Sequence, residues 1–401
     1  MKNRILSFGH LPLFIGGKQS SGLAIVQWFI ANNINKFENS NYEVIFAATD
    51  IHQSKKVIDK TVIIGWSIKS LLKFISIRPH LVVFYLFKTI KLNLLYQFSF
   101  WNLFFKLIFY HKSIYEINPE FIHLHGCTSV IFFEIFGIQK FKIFATIHGI
   151  NGQDKCIAGY SNYMKMEKAL NSLPFKFIVY ITNDLILQWN YFYGKPNWPM
   201  KVISNAYDSE DFYLELVLNK SKVKDNNRKL TIATIASLSE RKGQLRVLEA
   251  LAKLDNPKIE YICIGIGTDQ QIDILKCYAQ KNNISFKYLG YKTPTEIRSL
   301  LIKIDYMILP SSSEGFGLVF LESIACGVPV ILPKNLPIVK EDGIINNENS
   351  ILLQDESSCS IAEILNDLNK YNFIREKVAA SIINHNWENI VVDYLKLLSE
   401  I

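Results

Sequence analysis

At 401 residues the chain exceeds what one ordinary hydrophobic core supports, and two domains of roughly 200 residues each are the expectation. With 49% hydrophobic and 20% charged residues it is globular, which excludes a disordered or fibrous protein. The formal charge of +8 admits nucleic acid, an anionic membrane or an anionic substrate, while six scattered cysteines without C-x-x-C spacing exclude a disulfide framework and a cysteine metal site.

The opening MKNRILSFGHLPLFIGG reads as a strand and a glycine loop, and no signal peptide is expected from it. Arg4 to Phe8 is the first predicted strand. The loop Gly16-Gly17-Lys18-Gln19-Ser20-Ser21-Gly22 follows, then an apolar-faced helix from Leu23 to Asn33 and a strand from Tyr42 to Ala48. That βαβ start predicts a parallel sheet. Further strands are predicted at Leu81–Tyr85, Phe121–His125, Ile143–His148 and Phe177–Ile181. After a polar, lysine-rich linker from Asp208 to Lys229 the alternation resumes, with strands at Leu230–Ile235, Ile259–Ile264, Ser285–Leu289, Tyr306–Leu309 and Val328–Leu332. The pattern predicts an α/β protein of two facing, doubly wound Rossmann-like domains with a cleft between them. Ligands then bind beyond the carboxyl ends of the strands, where each glycine loop falls.

Lys60 to Tyr115 contains no Asp or Glu, yet carries Lys60, Lys69, Lys73, Arg78, Lys88, Lys91, Lys106 and Lys112 among many aromatics. Its longest uncharged run, Leu92 to Phe105, is short of the roughly 20 residues that span a bilayer. A basic, aromatic, amphipathic segment of this kind suits the interface of an anionic membrane. The plainer alternative is that the rings are core and the lysines solvated.

The stretch from Asp305 to Leu332, DYMILPSSSEGFGLVFLESIACGVPVIL, concentrates the most chemistry. A buried strand ends at Pro310, a Ser/Gly loop follows, and Leu318 to Cys326 has a helical pattern that Gly327 and Pro329 terminate. A glycine-rich loop opening a helix offers free N–H groups and a positive dipole end, suited to phosphate or sugar oxygens. Glu322, a turn inside that helix, suits the two hydroxyls of a vicinal diol. Together these features suggest nucleotide-sugar binding.

The segment EGFGLVFLESIACGVPV resembles the E-x7-E element of the retaining glycosyltransferases with a GT-B fold, the family often called GT4 (glycosyltransferase group 1). VISNAYD, IASLSERKGQ, IGIGTD, GGKQSSGLA, IHLHG and TIHG resemble further motifs of that family, essentially end to end. The resemblance implies that Glu322 binds the ribose and that Glu314 contacts the donor sugar, with Gly315, Phe316, Gly317 and Leu318 forming the donor loop. Their plainer alternatives are an exposed helix glutamate and a carboxylate capping the next helix. Lys242, aided by Arg241, is implied to hold the leaving diphosphate without a divalent metal, its alternative being a solvated helix lysine. Ala236 and Ser237 stand where the family has Gly and Arg. Tyr291 falls at the nucleobase position, and Gly16 and Gly17 approach the diphosphate or acceptor. His148 is implied to reach the donor sugar or acceptor, and His125 and Lys18 are acceptor-site candidates. His123 reads as core. Asn205 and Asp208 are expected to organise the junction between the domains.

The implied domains are 1–205 for the acceptor, 206–380 for the nucleotide sugar, and a tail, 381–401, crossing back to the first. The expected activity is sugar transfer, with retention, to a lipid-linked or polysaccharide acceptor in cell-surface glycan synthesis. No cofactor is expected beyond the nucleotide-sugar co-substrate, a UDP-sugar ahead of a GDP-sugar. The expected location is cytoplasmic, on the inner face of the membrane, with no nucleic-acid partner, since the basic residues carry no nucleic-acid motif. A GT-B sugar-nucleotide epimerase and a catalytically silent subunit of a membrane glycan complex are the alternatives.

Overall fold

In a computed structural model, residues 2–18, 21–49, 55–127, 129–136, 141–153, 159–213, 229–254, 258–341 and 343–401 of the protein are described. Gln19, Ser20, Cys156 and most of the expected linker, residues 214–228, lie outside them. The chain divides into two compact units, Met1–Asn205 with Trp387–Ile401 and Ala206–Asn386.

Among the described residues the first unit has eight strands: β1 (Asn3–Gly9), β2 (Tyr42–Ala48), β3 (Lys55–Ile58), β4 (Thr61–Ile64), β5 (Phe121–His125), β6 (Lys142–Ile147), β7 (Phe177–Tyr180) and β8 (Met200–Val202). They form one sheet in the order β3-β4-β2-β1-β5-β6-β7-β8, parallel except for the β3–β4 hairpin. Strand direction of travel reverses between β1 and β5, which makes that pair the topological switch point. Helices cover the sheet: α1 (Gly22–Lys36), α2 (Ile68–Ser76), α3 (His80–Tyr96), α4 (Phe100–Ile117), α5 (Ser129–Phe136), α6 (Tyr160–Leu170) and α7 (Asn183–Tyr193). Ser21 caps α1 by accepting from the Ala24 N–H, and Ser67 and Ser70 form a reciprocal capping box on α2.

Among the described residues the second unit has six parallel strands: β9 (Leu230–Ile235), β10 (Ile259–Ile264), β11 (Ser285–Tyr288), β12 (Tyr306–Ile308), β13 (Val330–Pro333) and β14 (Ser350–Leu353). Their order is β11-β10-β9-β12-β13-β14, with the reversal between β9 and β12. Around them lie α8 (Gln244–Leu251), α9 (Asp269–Lys281), α10 (Pro294–Leu301), α11 (Leu318–Ala325), α12 (Ser358–Asn366) and α13 (Arg375–Ala380). Fully buried Tyr261, Ile308 and Ile331 sit in its core. Helix α14 (Trp387–Ser399) belongs to the first unit, where Trp387 stacks on Phe29 of α1 and the Tyr394 hydroxyl meets Thr146 of β6.

The expected pair of doubly wound α/β domains is what the structure shows. One predicted strand is wrong. Leu81–Tyr85 lies inside the 17-residue helix α3, whose buried residues Tyr85, Thr89, Leu92 and Tyr96 recur at helical spacing. A five-residue apolar window is too short to separate the two periods, and only the longer run does so. Strands β3, β4, β8 and β14 were not among the predicted strands; all are short, and β3 is exposed at the sheet edge.

Candidate functional site

The loops after β9 and β12 meet at the switch point of the second unit. After β9 the chain passes Ser237 to Ser239 and makes a tight turn over Glu240–Lys242 that ends at Gly243. Gly243 has φ +75°, and a Cβ there would lie 2.7 Å from the Pro310 carbonyl, so only glycine closes this turn. Serines and arginines zip the two loops together. The Ser312 N–H and Ser311 Oγ donate to the Arg241 carbonyl at 2.9 and 3.2 Å, and Arg246 donates to Pro310 at 2.8 Å.

That packing brings Lys242 and Glu314 together. The Lys242 ammonium donates to Glu314 Oε1, and Arg241 Nη1 lies 3.6 Å from the same oxygen. Arg241 also donates to the Ser313 carbonyl. The side chains of Glu314 and Lys242 are 8% and 13% exposed, so this charge cluster is largely out of water and more strongly coupled than a surface pair. Burial pulls the Lys242 pKa down, and Glu314 opposes that by favouring the charged form. Glu314 is therefore not a helix cap. Gly317, at φ +90°, caps α11 without any side-chain hydrogen bond.

Glu322 projects from α11, partly exposed, with no side-chain hydrogen bond or ion pair among the described residues. Burial pushes its carboxyl up to about 7, and Asp211 and Asp208 add to that. Asp211 is held on α10 by Thr295 Oγ1 at 3.4 Å and Arg298 at 3.9 Å. Phe316 is buried at 3% exposure and wedges the loop, whereas Gly315 and Tyr291 are exposed and Gly317 and Leu318 are partly exposed. Ser237 is exposed, with its carbonyl accepting from Gln244 at 3.0 Å. The guanidinium in this cluster is that of Arg241, four positions further on.

The first unit presents a different site at its own switch point. Gly16, at φ +92°, ends a 3-10 turn, and Gly17 passes so close to Leu11 that a Cβ would lie 2.0 Å from its carbonyl oxygen. Lys18 is exposed on the same loop. At the ends of β5 and β6, His125 Nδ1 lies 3.1 Å from His148 Nε2, and Ser7 Oγ of β1 lies 3.4 Å from His125 Nε2. His123 bonds Thr146 at 2.9 Å and stacks on Phe144. Burial lowers His123 and His148 to about 3 and His125 well below its usual range, so all three rings are neutral at pH 7. Nδ1 of His148 is buried and unpartnered among the described residues. Leaving such an atom unpaired costs about 1–3 kcal/mol.

Two residues that carry no local sequence signal belong to this region. Ser7 is one. Glu167 of α6 is the other, a carboxylate 1% exposed that accepts from the N–H groups of Asn151 and Gly152 at 2.8 and 3.0 Å and from Tyr193 Oη at 2.6 Å. It pins the loop that follows His148. Glu167 sits among lysines in an amphipathic stretch, and nothing local distinguishes it from a solvated glutamate. Among the described residues no group of three or more His, Cys, Asp or Glu is arranged to hold a metal ion.

The basic aromatic segment folds into β4 and α2 to α4, with some of its apolar residues in the core and others exposed. Phe104, Phe109 and Tyr110 are core, while on α3 Val83, Phe87, Ile90 and Leu94 are 71, 67, 50 and 78% exposed in one stripe at helical spacing. No helix among the described residues is long and apolar enough to cross a membrane.

Two doubly wound units of this topology define the GT-B fold class. Residues 218–384 match the model of the family described as "Glycosyl transferases group 1". Over 209 residues the chain is 30% identical to the O-antigen biosynthesis glycosyltransferase WclY of Escherichia coli, covering 50% of this chain and 56% of that protein. The chain spans about half the length of the curated relatives it matches. Sucrose-phosphate synthase from Thermosynechococcus elongatus superimposes with a TM-score of 0.74 at 15% identity, covering 100% of this chain and 99% of that one. Anabaena Alr3699/HepE in complex with UDP-glucose gives 0.70 at 16% identity, over 99% and 100%. At these identities the structural likeness establishes the fold.

Proposed function

We propose that the protein is a retaining glycosyltransferase of the GT4 kind, moving a sugar from a nucleotide-diphosphate donor to a lipid-linked or polysaccharide hydroxyl in cell-surface glycan synthesis. The observation that carries this reading is the largely buried Lys242–Glu314 pair at the β9/β12 switch point, with the more exposed Arg241 3.6 Å from the same carboxylate oxygen and Glu322 on α11. A UDP-sugar is preferred to a GDP-sugar as donor, in keeping with the UDP-glucose complex of the Anabaena neighbour. The O-antigen role printed for the Escherichia coli relative supports the acceptor class.

In this mechanism the donor diphosphate takes the place that Glu314 occupies on Lys242. Arg241 and Lys242 then neutralise the charge that grows as the anomeric C–O bond breaks. The displaced Glu314 carboxylate turns to the sugar and supports the positive charge developing at the anomeric carbon. The acceptor oxygen bonds that carbon on the face the nucleoside diphosphate leaves, and the hydroxyl proton passes to the departing phosphate oxygen. Glu322 accepts from the two ribose hydroxyls, Tyr291 borders the base, and the loop from Gly315 to Leu318 lines the donor. The first unit takes the acceptor through Gly16, Gly17, Lys18 and His148. Asn205 and Asp208 organise the passage between the two units.

The apolar stripe of α3 is assigned to an anionic membrane on the cytoplasmic side. Lys91 is exposed on α3 itself, Lys69 and Lys73 are exposed on α2, and no acid lies between residues 60 and 115, so the segment is complementary to anionic lipid. Replacing Phe87 and Leu94 by serine weakens binding to vesicles of anionic lipid by at least about tenfold, since each buried CH2 contributes about 0.8 kcal/mol. Equal vesicle binding by this variant removes the assignment.

The primary test incubates the purified protein with a panel of UDP- and GDP-sugars, with and without membrane extract, and measures nucleotide release. Release from one donor that needs the extract is expected, with the product retaining the anomeric configuration. An inverted product removes the retaining mechanism, and no release with any donor removes the enzyme reading.

A further inference from the structure

Imidazoles at the ends of β5 and β6 form a hydrogen-bonded series that the proposed transfer does not itself require. It runs from Ser7 Oγ to His125 Nε2 at 3.4 Å, and from His125 Nδ1 to His148 Nε2 at 3.1 Å. Parallel pairing explains why these groups meet. Ser7 of β1 is in register with His123 of β5, and His125 with Thr146 of β6, so side chains at the strand ends converge across three adjacent strands. Ser7 is fully buried and His125 is 7% exposed, with both ring nitrogens engaged. An imidazole so enclosed supports a neighbour; it does not reach out to a ligand.

A neutral imidazole carries one N–H, so the bond between the two rings has only two arrangements. If His125 donates from Nδ1, its Nε2 accepts from the Ser7 hydroxyl, and His148 must carry its proton on Nδ1. If His148 donates from Nε2, its Nδ1 is an acceptor and His125 donates onward to Ser7. Either way Nδ1 of His148, buried and without a partner among the described residues, is the open end of the series. A Cβ built on Gly126 or Gly149, the residues that follow the two histidines, would have no described atom within 4 Å apart from its chain neighbours. A sugar or acceptor hydroxyl both donates and accepts, so it completes the series in either arrangement.

We infer that His125 is a positioning residue, which fixes the ring orientation of His148 and ties its tautomer to its own, so that Nδ1 of His148 is held ready for a substrate hydroxyl, with Ser7 Oγ engaging the far nitrogen of His125. The inference rests on the reading above that His148 touches the sugar or the acceptor. It moves His125 from the acceptor contacts to the layer behind them. Second-layer partners that fix a histidine tautomer are worth about 10- to 100-fold in function where they have been removed at metal ligands, and a similar loss is the scale expected here.

The test uses three variants of the full chain. His125→Phe keeps a planar ring without hydrogen bonds, His125→Asn restores an N–H donor near the position of Nδ1, and Ser7→Ala removes one hydroxyl. The expectation is a kcat about 30-fold lower for His125→Phe with the donor KM within about threefold, and recovery to within about fivefold for His125→Asn. Long-range proton–nitrogen NMR of histidine-labelled protein should show His148 in one tautomer in the native chain and in a mixture in His125→Phe. Native turnover in His125→Phe, or no recovery in His125→Asn, overturns the inference. If His125→Phe does not fold, Ser7→Ala decides: the His125 and His148 nitrogen shifts should change, and unchanged shifts overturn it. The NMR readout needs no substrate, so a protein inactive with every donor would sink the proposed reaction while leaving this experiment decisive.

Discussion

The two units carry the same sheet logic and opposite electrostatics. At the β9/β12 switch point the second unit gathers Lys242 and Glu314, both largely out of water, with the more exposed Arg241 into a charged cluster. At the β1/β5 switch point the first unit gathers His123, His125 and His148, which burial keeps neutral. A single topology therefore supports two kinds of recognition. Fixed charges suit an anion such as a diphosphate, whereas neutral imidazoles that donate on one side and accept on the other suit hydroxyl groups.

The sharpest way to break this contrast is to neutralise the charged side. Lys242→Gln should lower kcat/KM by about 100- to 1,000-fold, the usual loss when one preorganised electrostatic group is removed, while circular dichroism stays native. Glu314→Gln separates the two roles of its residue. Turnover should fall about 100-fold, yet UDP should bind about three- to tenfold more tightly by calorimetry, because an internal competitor for Lys242 has gone. Weaker UDP binding in that variant would mean that Glu314 does not compete with the diphosphate.

On the neutral side the expected effect is on stability. Glu167→Ala leaves the N–H groups of Asn151 and Gly152 and the Tyr193 hydroxyl without their acceptor. Hydrogen bonds to a buried carboxylate contribute about 1.5–3 kcal/mol each and do not add fully, so a loss of about 3 kcal/mol is expected in denaturant unfolding of the first unit. Hydrogen exchange should place the change around residues 149–153 and leave the second unit untouched.

The smallest effect is a pH dependence. Burial, with Asp211 and Asp208 adding to it, raises the Glu322 carboxyl to about 7, so the charged form is disfavoured. Stability from this group is complete below the ordinary carboxyl pKa of about 4.3 and is lost as pH rises through about 7. A ribose diol donates to the ionised form, so binding removes the proton. UDP affinity should therefore rise from about pH 6 to about pH 8 and then level, by up to about tenfold per unit at the acid end. Glu322→Gln should flatten that profile; a profile of unchanged slope would show that another group titrates.

The charged site was the more legible in sequence because its parts are local. Glu314 and Glu322 lie eight positions apart on one loop and helix, and Lys242 lies in a short loop after a clear strand. What sequence could not show is that Lys242 and Glu314, 72 positions apart, pair with each other, since that depends on β9 lying next to β12. The neutral site draws on Ser7, His125, His148 and Glu167, from four separate segments. A serine inside a strand or a glutamate in a helix carries no mark of its partners. Helix α3 was misread as a strand for a related reason. Apolar residues face both the core and the solvent there, so neither period stands out in a short window.

Helix α14 has a consequence for how the molecule is made. Its Trp387 lies on Phe29 and its Tyr394 bonds Thr146, so it supplies wall to a unit otherwise encoded by the first 205 residues. Between them the ribosome must deliver all of Ala206–Asn386. At about 5–20 residues per second that interval is on the order of ten to forty seconds. During it the first unit waits with Phe29 and the Thr146 region uncovered, while the second can fold to completion. The unit begun first is finished last, and a chaperone has its longest opportunity on the surface that α14 will close.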